Sequence, residues 1–422
     1  MNLLRCALGL AFFCVAAWAM SSDRRRFPWR VAALGIALQF AVGWFILGTS
    51  FGASFFESIA GFVAKLVSTA QPGAEMVFGS MARPDGPLGF VFAFAGSGLI
   101  VIVFFSALMS ILYYLGVMQV VVWALARVMS AAMGVSGAES MAVAANMFVG
   151  QTEAPLVVKP YLAGMTRSEL MALMTGGFAT IAGSVMAVYM GLLGPEYGPH
   201  LLTASVMSAP AAFVMAKIIA PETERSQTGG GVELRIERGA TNLIEAAANG
   251  TSDGLKLWLN VIAMLIAFVA LVNLVDWPLG SLGEWLNSLG VLSGELSLSR
   301  MFGWVFAPLA WVMGVEGWGD CQLFGSLLGV KVSINEFVAY QSLVAQRPSE
   351  GAAVAFEHVR SAKMAAYALC GFANFGSVGI QIGGIAALAP ERKSDLARIG
   401  LKAMIAGAFA SWMTATIAGA YL

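Results

Sequence analysis

The sequence predicts an all-α polytopic membrane protein with eight transmembrane helices, interfacial helices and two oppositely oriented re-entrant helical hairpins that form inverted repeats. The 422-residue chain is 59% hydrophobic and only 11% charged, whereas soluble globular proteins carry about 25% charged residues. Apolar runs of about 20 residues, the length that crosses a bilayer, recur along it. Glu153 and Glu336 lie in otherwise apolar sequence. An ionisable group at membrane depth costs about 2.5–3.5 kcal/mol and normally faces a cavity or pathway.

Residues 1–135 are predicted to supply the N-terminal spans and interfacial helices. Full-length apolar runs lie near 3–20, 31–48 and 89–115. Residues 51–68 have a helical pattern interrupted by Glu57 and Lys65, which suits a helix lying in the membrane interface. A second interfacial helix is expected near 119–133, and residues 71–88 are predicted to be a loop.

The first apolar run is expected to be a retained helix. It ends in Ala17–Ala19, which resembles a signal-peptidase site, but the positive cluster Arg24–Arg26 follows the run and only Arg5 precedes it. A signal peptide has the opposite charge bias. The pattern therefore favours a first span whose C-terminal end faces the cytoplasm.

Residues 136–220 are predicted to form a first repeat. It begins with a re-entrant hairpin over 136–163 and continues with spans near 169–193 and 199–220. The hairpin segment is too polar for a lipid-facing span, because it contains Glu139, Asn146, Gln151, Thr152, Glu153 and Lys159. Non-helical backbone at membrane depth is tolerated only where protein or a wet cavity shields it, so two short helices meeting at a polar tip are expected. Ser136 and Glu139 have the spacing of a capping box.

Residues 221–298 are predicted to contain a polar linker, 221–252, and one span near 254–276. Residues 299–422 are predicted to form a second repeat of the same kind, with a hairpin over about 299–345 and final spans near 362–388 and 398–421. The second hairpin segment contains Glu316, Asp320, Gln322, Ser333, Asn335 and Glu336 among short apolar pieces.

A short internal match links the two repeats. The segment Gly177–Val185 follows the first hairpin and Gly371–Val378 follows the second, and each begins with Gly-Phe-Ala. Both segments place glycine and small polar residues inside a predicted span, where a helix could unwind. Paired, glycine-interrupted segments in two halves of a chain point to a transporter's site near the membrane midplane.

The distribution of positive charge supports this topology. If the first cluster of arginines is cytoplasmic, alternation places the basic connections 221–252 and 390–398 on the same side, and the connection 194–199, without Lys or Arg, outside. That agrees with the positive-inside rule. The exception is 346–363, which is predicted to be external yet contains Arg347, Arg360 and Lys363. With eight spans both termini face outward, and the two repeats are inverted.

Gln151, Thr152 and Glu153 are the first candidates for ligand binding. Three adjacent residues with donors and acceptors at a hairpin tip can bind the edge of a flat heterocycle. The alternative is a helix start, in which Thr152 caps and Pro155 sits in the first turn.

Glu336 and its neighbour Asn335 are the second candidates, since a carboxylate accepts strongly from sugar hydroxyls. The alternative is a capping group or an ion pair with Lys331. Asn374 and Ser377 lie one helical turn apart and share a face, and Phe372 precedes them, although an aromatic residue is more often a core or lipid contact.

Asn146, Val149, Thr180 and Ile181 are candidates for a hard-cation site. Side-chain oxygens together with the carbonyls of an unwound helix are ligands that suit Na⁺. The alternative is that Asn146 and Thr180 only satisfy backbone groups between helices.

Other patterns exclude several classes of protein. The net charge is zero, so nothing suggests nucleic-acid binding. Cysteines and histidines lack metal-ligand spacing, and the sequence has no Walker A, Gly-x-Ser-x-Gly or His-Glu-x-x-His motif. An ion channel, a carrier for another small polar metabolite, and a membrane enzyme with Glu153 and Glu336 as acid and base remain as alternatives; the enzyme is the least favoured.

Three segments resemble the signature segments of the concentrative nucleoside transporters. They are Gly150-Gln151-Thr152-Glu153-Ala154-Pro155-Leu156, Asn335-Glu336-Phe337-Val338-Ala339-Tyr340 and Gly371-Phe372-Ala373-Asn374-Phe375-Gly376-Ser377. The resemblance covers about 88–420. It implies a homotrimer in the plasma membrane, or in the inner membrane of a Gram-negative bacterium, that imports nucleosides such as uridine by an elevator-like motion. Residues 136–220 and 299–422 would then form the transport domain, and 1–135 and 221–298 the scaffold and trimer contacts.

The resemblance also implies roles for individual residues. The nucleobase would contact Gln151, Thr152, Glu153, Val185 and Phe372. The ribose would bind Glu336, Asn374 and Ser377. The coupling Na⁺ would bind the Asn146 and Thr180 side chains and the Val149 and Ile181 carbonyls. H⁺ is the alternative coupling ion, but bacterial relatives that use it depart from the Gln-Thr-Glu-Ala-Pro pattern, which this chain keeps. No organic cofactor is expected.

Overall fold

A computed structural model of the chain describes residues 2–83, 93–95, 98–229, 240–291, 293–348 and 355–422. Within these ranges the regular structure is entirely helical. The α-helices are α1 (Asn2–Ala19), α2 (Trp29–Gly48), α3 (Ser50–Ser68), α4 (Gln71–Phe78), α5 (Val101–Tyr114), α6 (Val117–Met133), α7 (Gly137–Asn146), α8 (Ala154–Val157), α9 (Lys159–Leu162), α10 (Arg167–Ala179), α11 (Gly183–Leu193), α12 (Gly198–Ile219), α13 (Leu243–Ser288), α14 (Leu298–Met313), α15 (Trp318–Ser333), α16 (Glu336–Ala345), α17 (Val359–Leu369), α18 (Phe375–Leu388) and α19 (Lys393–Ala418).

Six helical stretches in the described residues are long and apolar enough to cross a membrane. They are Trp29–Gly48, Ser50–Ala82, Arg167–Leu193, Pro195–Ile219, Leu243–Ser288 and Pro390–Ala418. Two further helix pairs are bent, α5 with α6 by 78° and α14 with α15 by 112°, and bring the number to eight if each pair is one span. Six of the predicted spans overlap these candidates, whereas those near 3–20 and 362–388 correspond only to shorter apolar helices, Leu4–Ala19 and Phe375–Leu388. The candidates also include the stretch from α3 onward, which was predicted to be interfacial, and the pair α14 with α15, which falls in the predicted second hairpin.

The buried core lies where α10, α12 and α19 pack together, while the surfaces of α2, α3 and α13 are largely exposed. In the candidate spans formed by α10 with α11, by α12 and by α19, 78–94% of the most apolar window is buried inside the protein, against 6% in α13. A helix that is apolar on all sides and buried by protein belongs to the interior of a bundle, whereas an apolar, unburied helix faces lipid or another subunit.

Two predicted boundaries are wrong. Residues 71–78 form α4 rather than a loop, and a 3₁₀ turn follows over Gly79–Ala82; the rest of the predicted loop lies mostly outside the described residues. The polar linker ends ten residues earlier than predicted, because α13 already begins at Leu243. Asn242 caps this helix by accepting a hydrogen bond from the Glu245 N–H at 2.9 Å, which allows the polar sequence to join the span.

Glycines at four-residue spacing let α13 pack closely on α5. A Cβ on Gly250 would lie 2.5 Å from the Ser106 carbonyl oxygen, and a Cβ on Gly254 would lie 2.7 Å from Val103 Cα. Small residues at this spacing allow helix backbones to approach in membranes. The contact explains why a helix of 46 residues is held against the bundle although few of its side chains are buried.

The two hairpins have different arms. In the first, α7 enters, residues 147–153 form the tip, and the short helices α8 and α9 leave it. The second consists of α15 and α16 and begins at Trp318, not near residue 299 as predicted, because α14 is a separate helix packed on α15. A Cβ on Gly325 would lie 2.8 Å from the Ala307 N atom, so that glycine permits this close packing.

Each hairpin is followed by a helix that breaks and restarts. Helix α10 ends at Ala179 and α11 begins at Gly183, and α17 ends at Leu369 before α18 begins at Phe375. Both breaks lie within the segments that were predicted to unwind, Gly177–Val185 and Gly371–Val378, although Gly177–Ala179 is itself helical and the first break begins at Thr180. In the second, Gly371 has φ +119° and packs against the Phe178 carbonyl, where a Cβ would lie 2.5 Å away. The two breaks therefore touch.

Two of the three basic residues on the connection 346–363, which departs from the positive-inside pattern, have partners within the protein. Arg347 donates to the Leu193 carbonyl and lies 3.2 Å from Glu196. Arg360 donates to the Gly419 carbonyl at 3.0 Å and lies 3.1 Å from Glu316. Both guanidinium groups therefore have partners within the folded protein.

Gly254→Ala should lower the melting temperature of the detergent-solubilised protein, because the added methyl group would push α13 away from α5 and overpacking costs about 1–3 kcal/mol. Gly280→Ala on the same helix is the matched control, since a Cβ there meets nothing within 4 Å. Thermal unfolding followed by fluorescence-detected size exclusion would compare the variants. Equal melting temperatures would contradict the packing role of Gly254.

Candidate functional site

A cavity of about 710 Å³ lies among the first hairpin tip, α11, the start of α16 and the start of α18. Its volume falls in the range of small-molecule sites, about 300–1,000 Å³. All eight residues that were predicted to bind base or ribose line it: Gln151, Thr152, Glu153, Val185, Glu336, Phe372, Asn374 and Ser377. The structure thus brings together residues from both repeats.

Glu336 is held in a fixed orientation at the start of α16. Its Oε1 accepts a hydrogen bond from the Tyr189 hydroxyl at 3.0 Å, and its Oε2 accepts from Asn374 Nδ2 at 3.1 Å. The residue is only 6% exposed. An ionised carboxylate has about four acceptor positions, so two remain for hydroxyl groups of a ligand. The alternative of an ion pair with Lys331 is not observed, because Lys331 instead donates to backbone carbonyls.

Asn374 connects Glu336 to the start of α18. Its side-chain Oδ1 accepts from the Ser377 N–H at 2.8 Å, which caps the helix, while its amide nitrogen donates to Glu336. The two bonds define which end of the amide is the donor. Ser377, one turn into α18, also lines the cavity. The expected shared face of Asn374 and Ser377 is therefore present, although Asn374 lies at the cap rather than inside the helix.

The first hairpin tip supplies the opposite wall. Gln151 is nearly buried, and its Oε1 accepts from Gln381 Nε2 at 3.0 Å, which leaves its own amide hydrogens for another partner. Glu153 is exposed, and its carboxylate folds over Gly150, where a Cβ would collide with it. The alternative role of Thr152 as a helix cap is wrong, because Glu153 occupies the cap position of α8 and no side chain makes a capping bond.

Asn146 and Thr180 meet where α7 ends and α10 breaks. The Thr180 hydroxyl donates to the Asn146 carbonyl at 2.8 Å and to the Gly176 carbonyl at 2.9 Å. Asn146 Nδ2 donates to the Ala142 carbonyl at 3.1 Å, but its Oδ1 is buried without a hydrogen-bond partner among the described residues. A buried acceptor without a partner is costly. An Na⁺ ion, which prefers oxygen ligands, would satisfy this oxygen.

The other two predicted cation ligands flank this junction. Ile181 lies in the break itself and is fully buried, and Val149 lies at the hairpin tip and borders the cavity. The tip and the break are joined by a hydrogen bond from the Gly183 N–H to the Phe148 carbonyl at 2.9 Å. The four residues are therefore grouped at one place, beside the wall that carries Gln151.

Sequence reasoning missed two side chains that orient the site. Tyr189 donates to Glu336, and Gln381 donates both to Gln151 and to the Met174 carbonyl at 3.1 Å. A usable signal existed, since Tyr189 follows Val185 by four residues and Gln381 follows Ser377 by four. Residues at that spacing share a helix face, and a polar residue within an apolar membrane helix normally has a partner.

The chain matches three family models. "Na⁺ dependent nucleoside transporter C-terminus" matches residues 200–419, "Na⁺ dependent nucleoside transporter N-terminus" matches 8–81, and "Nucleoside recognition" matches 97–196. The first of these alone covers more than half of the chain.

Full-length relatives agree with these matches. An uncharacterized transporter of Haemophilus influenzae is 43% identical over 422 residues, which is 100% of this chain and 98% of the relative. Sodium/nucleoside cotransporter 1 of Mus musculus is 41% identical over 420 residues, which is 97% of this chain and 62% of the mouse protein. The chain therefore spans less than two thirds of the length of the mouse protein.

A solved structure of CNTnw in an inward-facing substrate-bound state superposes with a TM-score of 0.91 at 39% identity, covering 100% of this chain and 98% of that one. This match confirms the predicted fold class. The relatives are transporters rather than enzymes, and together with the apolar helices they identify a multi-pass protein of the cell membrane. On these matches, the chain belongs to the Na⁺-dependent nucleoside transporter family.

Proposed function

We propose that the protein is a symporter that imports nucleosides, uridine among them, together with Na⁺ and by an elevator-type alternating-access mechanism. The observation that carries the proposal is the buried Glu336 carboxylate, whose two oxygens are oriented by Tyr189 and Asn374 in the same cavity as Gln151 and Glu153. The Glu336 oxygens on one wall can accept from the hydroxyls of a sugar ring. Gln151 and Glu153 on the opposite wall can bind the polar edge of a flat ring, so the cavity suits a ligand that joins the two.

The ribose would bind on the Glu336 side. Its hydroxyls would donate to the remaining lone pairs of Glu336, and Ser377 lies close by on α18. This side is buried and its groups are already oriented. An analogue without the hydroxyls would therefore leave the remaining lone pairs of Glu336 without donors. Sites of this kind reject such analogues strongly.

The base would lie against the hairpin tip. Gln151 can donate and Glu153 can accept, either directly or through water, while Val185 and Phe372 supply apolar surface in the same cavity. Since Glu153 is exposed on a short turn, this side is expected to be more adaptable than the ribose side.

Na⁺ would bind at Asn146, Val149, Thr180 and Ile181, next to the tip. By occupying the unpaired Asn146 Oδ1 it would hold α7 against the α10 break and so order Gln151–Glu153 for the base. One charge crossing 100 mV supplies about 2.3 kcal/mol in addition to its concentration gradient. A ligand shifts a conformational equilibrium only by its differential affinity for the two states, so movement is expected to require both Na⁺ and nucleoside.

The moving body in this proposal is formed by residues 136–220 and 299–422, and residues 1–135 and 221–298 form the scaffold. The exposed apolar surface of α13, which includes Ile266, Leu274 and Trp277, suits contacts with lipid and with the other subunits of a homotrimer. Helix α13 also lines the cavity through Val261 and Leu265, so the scaffold would form one wall along which the transport domain slides.

The proposal is tested by uptake of radiolabelled uridine into proteoliposomes under an imposed Na⁺ gradient, with a pH gradient as the comparison. Uptake should follow the Na⁺ gradient, and Glu336→Gln and Asn374→Ala should abolish it while the purified protein remains folded. Uptake driven by the pH gradient alone would mean that the coupling ion is H⁺ rather than Na⁺. Normal uptake in both variants would refute the ribose site, and no uridine uptake by the wild type would refute the function.

Tyr189→Phe should raise the KM for uridine about tenfold, since a hydrogen bond to a charged group contributes about 1.5–3 kcal/mol. Tyr340→Phe is the matched control. Tyr340 is equally buried, and its ring lies 4.3 Å from that of Tyr189, but its hydroxyl donates to the Ala366 carbonyl. We expect its KM to stay near that of the wild type. A similar KM for both variants would mean that the Tyr189 hydroxyl does not orient Glu336.

Asn146→Ala should raise the Na⁺ concentration for half-maximal uptake about tenfold or more, because it removes the unpaired buried oxygen. Ser140→Ala is the control on the same helix, since its hydroxyl only donates to the Ser136 carbonyl. Uptake measured over a range of Na⁺ concentrations distinguishes the two. An unchanged response in Asn146→Ala would place the ion elsewhere.

A further inference from the structure

Lys331 is a fully buried lysine near the end of α15, and its ammonium group faces the break after α17. Nζ donates to the Ala368 carbonyl at 2.8 Å, to the Cys370 carbonyl at 3.3 Å and to Ser411 Oγ at 2.8 Å. Ala368 lies in the last turn of α17 and Cys370 is the residue that ends it. Among the described residues, no carboxylate oxygen lies within 4.0 Å of this nitrogen.

The charged form of the side chain satisfies all three contacts. The two carbonyl oxygens can only accept, and the Ser411 hydroxyl, which donates to the Ala408 carbonyl at 3.0 Å, accepts from Lys331. An ammonium has the three N–H donors that these three acceptors use. The C-terminal end of a half-helix is also the negative end of its dipole and favours a cation.

In the first repeat, the corresponding end of the hairpin's entering arm carries no lysine, and an oxygen there lacks a partner within the described part of the chain. There α7 is the entering arm of the hairpin, and its last residue, Asn146, meets the break after α10. In the second repeat α15 is the entering arm, and Lys331, in its last turn, meets the break after α17. The first arm has an unpaired oxygen that could bind a cation. The second arm carries a cation, and its ammonium binds three oxygens at the second break.

We propose that the Lys331 ammonium is a tethered cation that takes, at the second helix break, the place that Na⁺ takes at the first. This inference rests on the proposed Na⁺–nucleoside symport. By binding the Ala368 and Cys370 carbonyls, Lys331 fixes the start of the 370–374 segment, at whose end Asn374 donates to Glu336. Lys331 is thus a positioning residue for ribose recognition that does not touch the ligand.

The two repeats would then differ in which cation orders their part of the binding site. The ribose side is organised permanently by a cation that belongs to the chain, and the base side is organised only when Na⁺ binds. One exchangeable ion then accompanies each nucleoside, because the second cation position is already filled.

Lys331→Met and Lys331→Ala test the proposal in proteoliposomes. Met keeps the length and burial of the side chain without the charge. We expect its uridine KM to rise at least about tenfold, and its preference for uridine over 2′,3′-dideoxyuridine to fall by a similar factor. Na⁺ binding measured without nucleoside should stay as in the wild type, because the first break is untouched.

Lys331→Ala opens space for a free cation. The lost atoms correspond to n-propylammonium, so adding this amine should restore uptake in Lys331→Ala but not in Lys331→Met, where the side chain fills the space. Without the amine, the Hill coefficient for Na⁺ in Lys331→Ala should rise from about 1 toward 2, as a second ion binds.

Lys217→Met is the control for the loss of a buried lysine. Lys217 is 4% exposed but pairs with Glu139 at 2.7 Å, far along the chain from the second break. This variant should yield less folded protein, with unchanged uridine KM and no rescue by amine. Ser411→Ala, which removes one acceptor and keeps the charge, should raise the KM about threefold and provides the test if both Lys331 variants fail to fold.

The outcomes separate the two proposals. Failure of the wild type to transport uridine would refute the symport function. With an active wild type, an unchanged KM and unchanged ribose preference in Lys331→Met would overturn the tethered cation, and so would a folded Lys331→Ala that responds neither to n-propylammonium nor to added Na⁺. If neither Lys331 variant folds, a wild-type KM and ribose preference in Ser411→Ala would overturn it.

Discussion

Two interrupted helices that touch inside an apolar protein impose the constraint on which the rest of this structure depends. Helices α10 and α17 both stop within the bundle, and Gly371 of one break packs on the Phe178 carbonyl at the end of the other helix. Buried backbone carbonyls freed in this way need hydrogen-bond partners. At the first break, Thr180 and Gln381 donate to the Gly176 and Met174 carbonyls. At the second, Lys331 of the hairpin arm donates to the Ala368 and Cys370 carbonyls. Residues of both breaks, Ala182 and Phe372, line the cavity.

The constraint explains why the polar side chains of the site form chains of contacts rather than isolated pairs. Tyr189, Glu336, Asn374 and the Ser377 N–H are linked in series across α11, α16 and α18. Gln381 similarly joins Gln151 to α10. In a low-dielectric interior such networks are stable only when each member is satisfied. A ligand that completes them is favoured, and one that leaves a member unpaired is rejected.

The residues that meet in the cavity could be predicted from sequence, because polar groups in apolar runs are costly and therefore conspicuous. Glu153, Glu336 and Asn374 were found in this way. The exact break points could not be found, since Gly177–Ala179 and Gly371–Ala373 have the same letters but only the second is unwound. Tertiary contacts decide which copy stays helical. The start of α13 was missed for a similar reason, because Gly250 looks like a linker residue until α5 is seen to pack on it.

The two carboxylates that mark the repeats differ in exposure and in the side chains that hold them, and that difference bears on how binding is coupled to movement. Glu336 is 6% exposed and held from two helices, whereas Glu153 is exposed on a turn between α7 and the four-residue helix α8. Segments with few buried contacts open at low free-energy cost, and well-packed segments do not. A ligand bound first by the rigid Glu336 side would leave the first hairpin tip as the part still free to close. In the proposed cycle the tip is also where the ion binds, so ion and base would order the same flexible element. Coupling then needs no long-range pathway, because both ligands act on one short stretch of backbone.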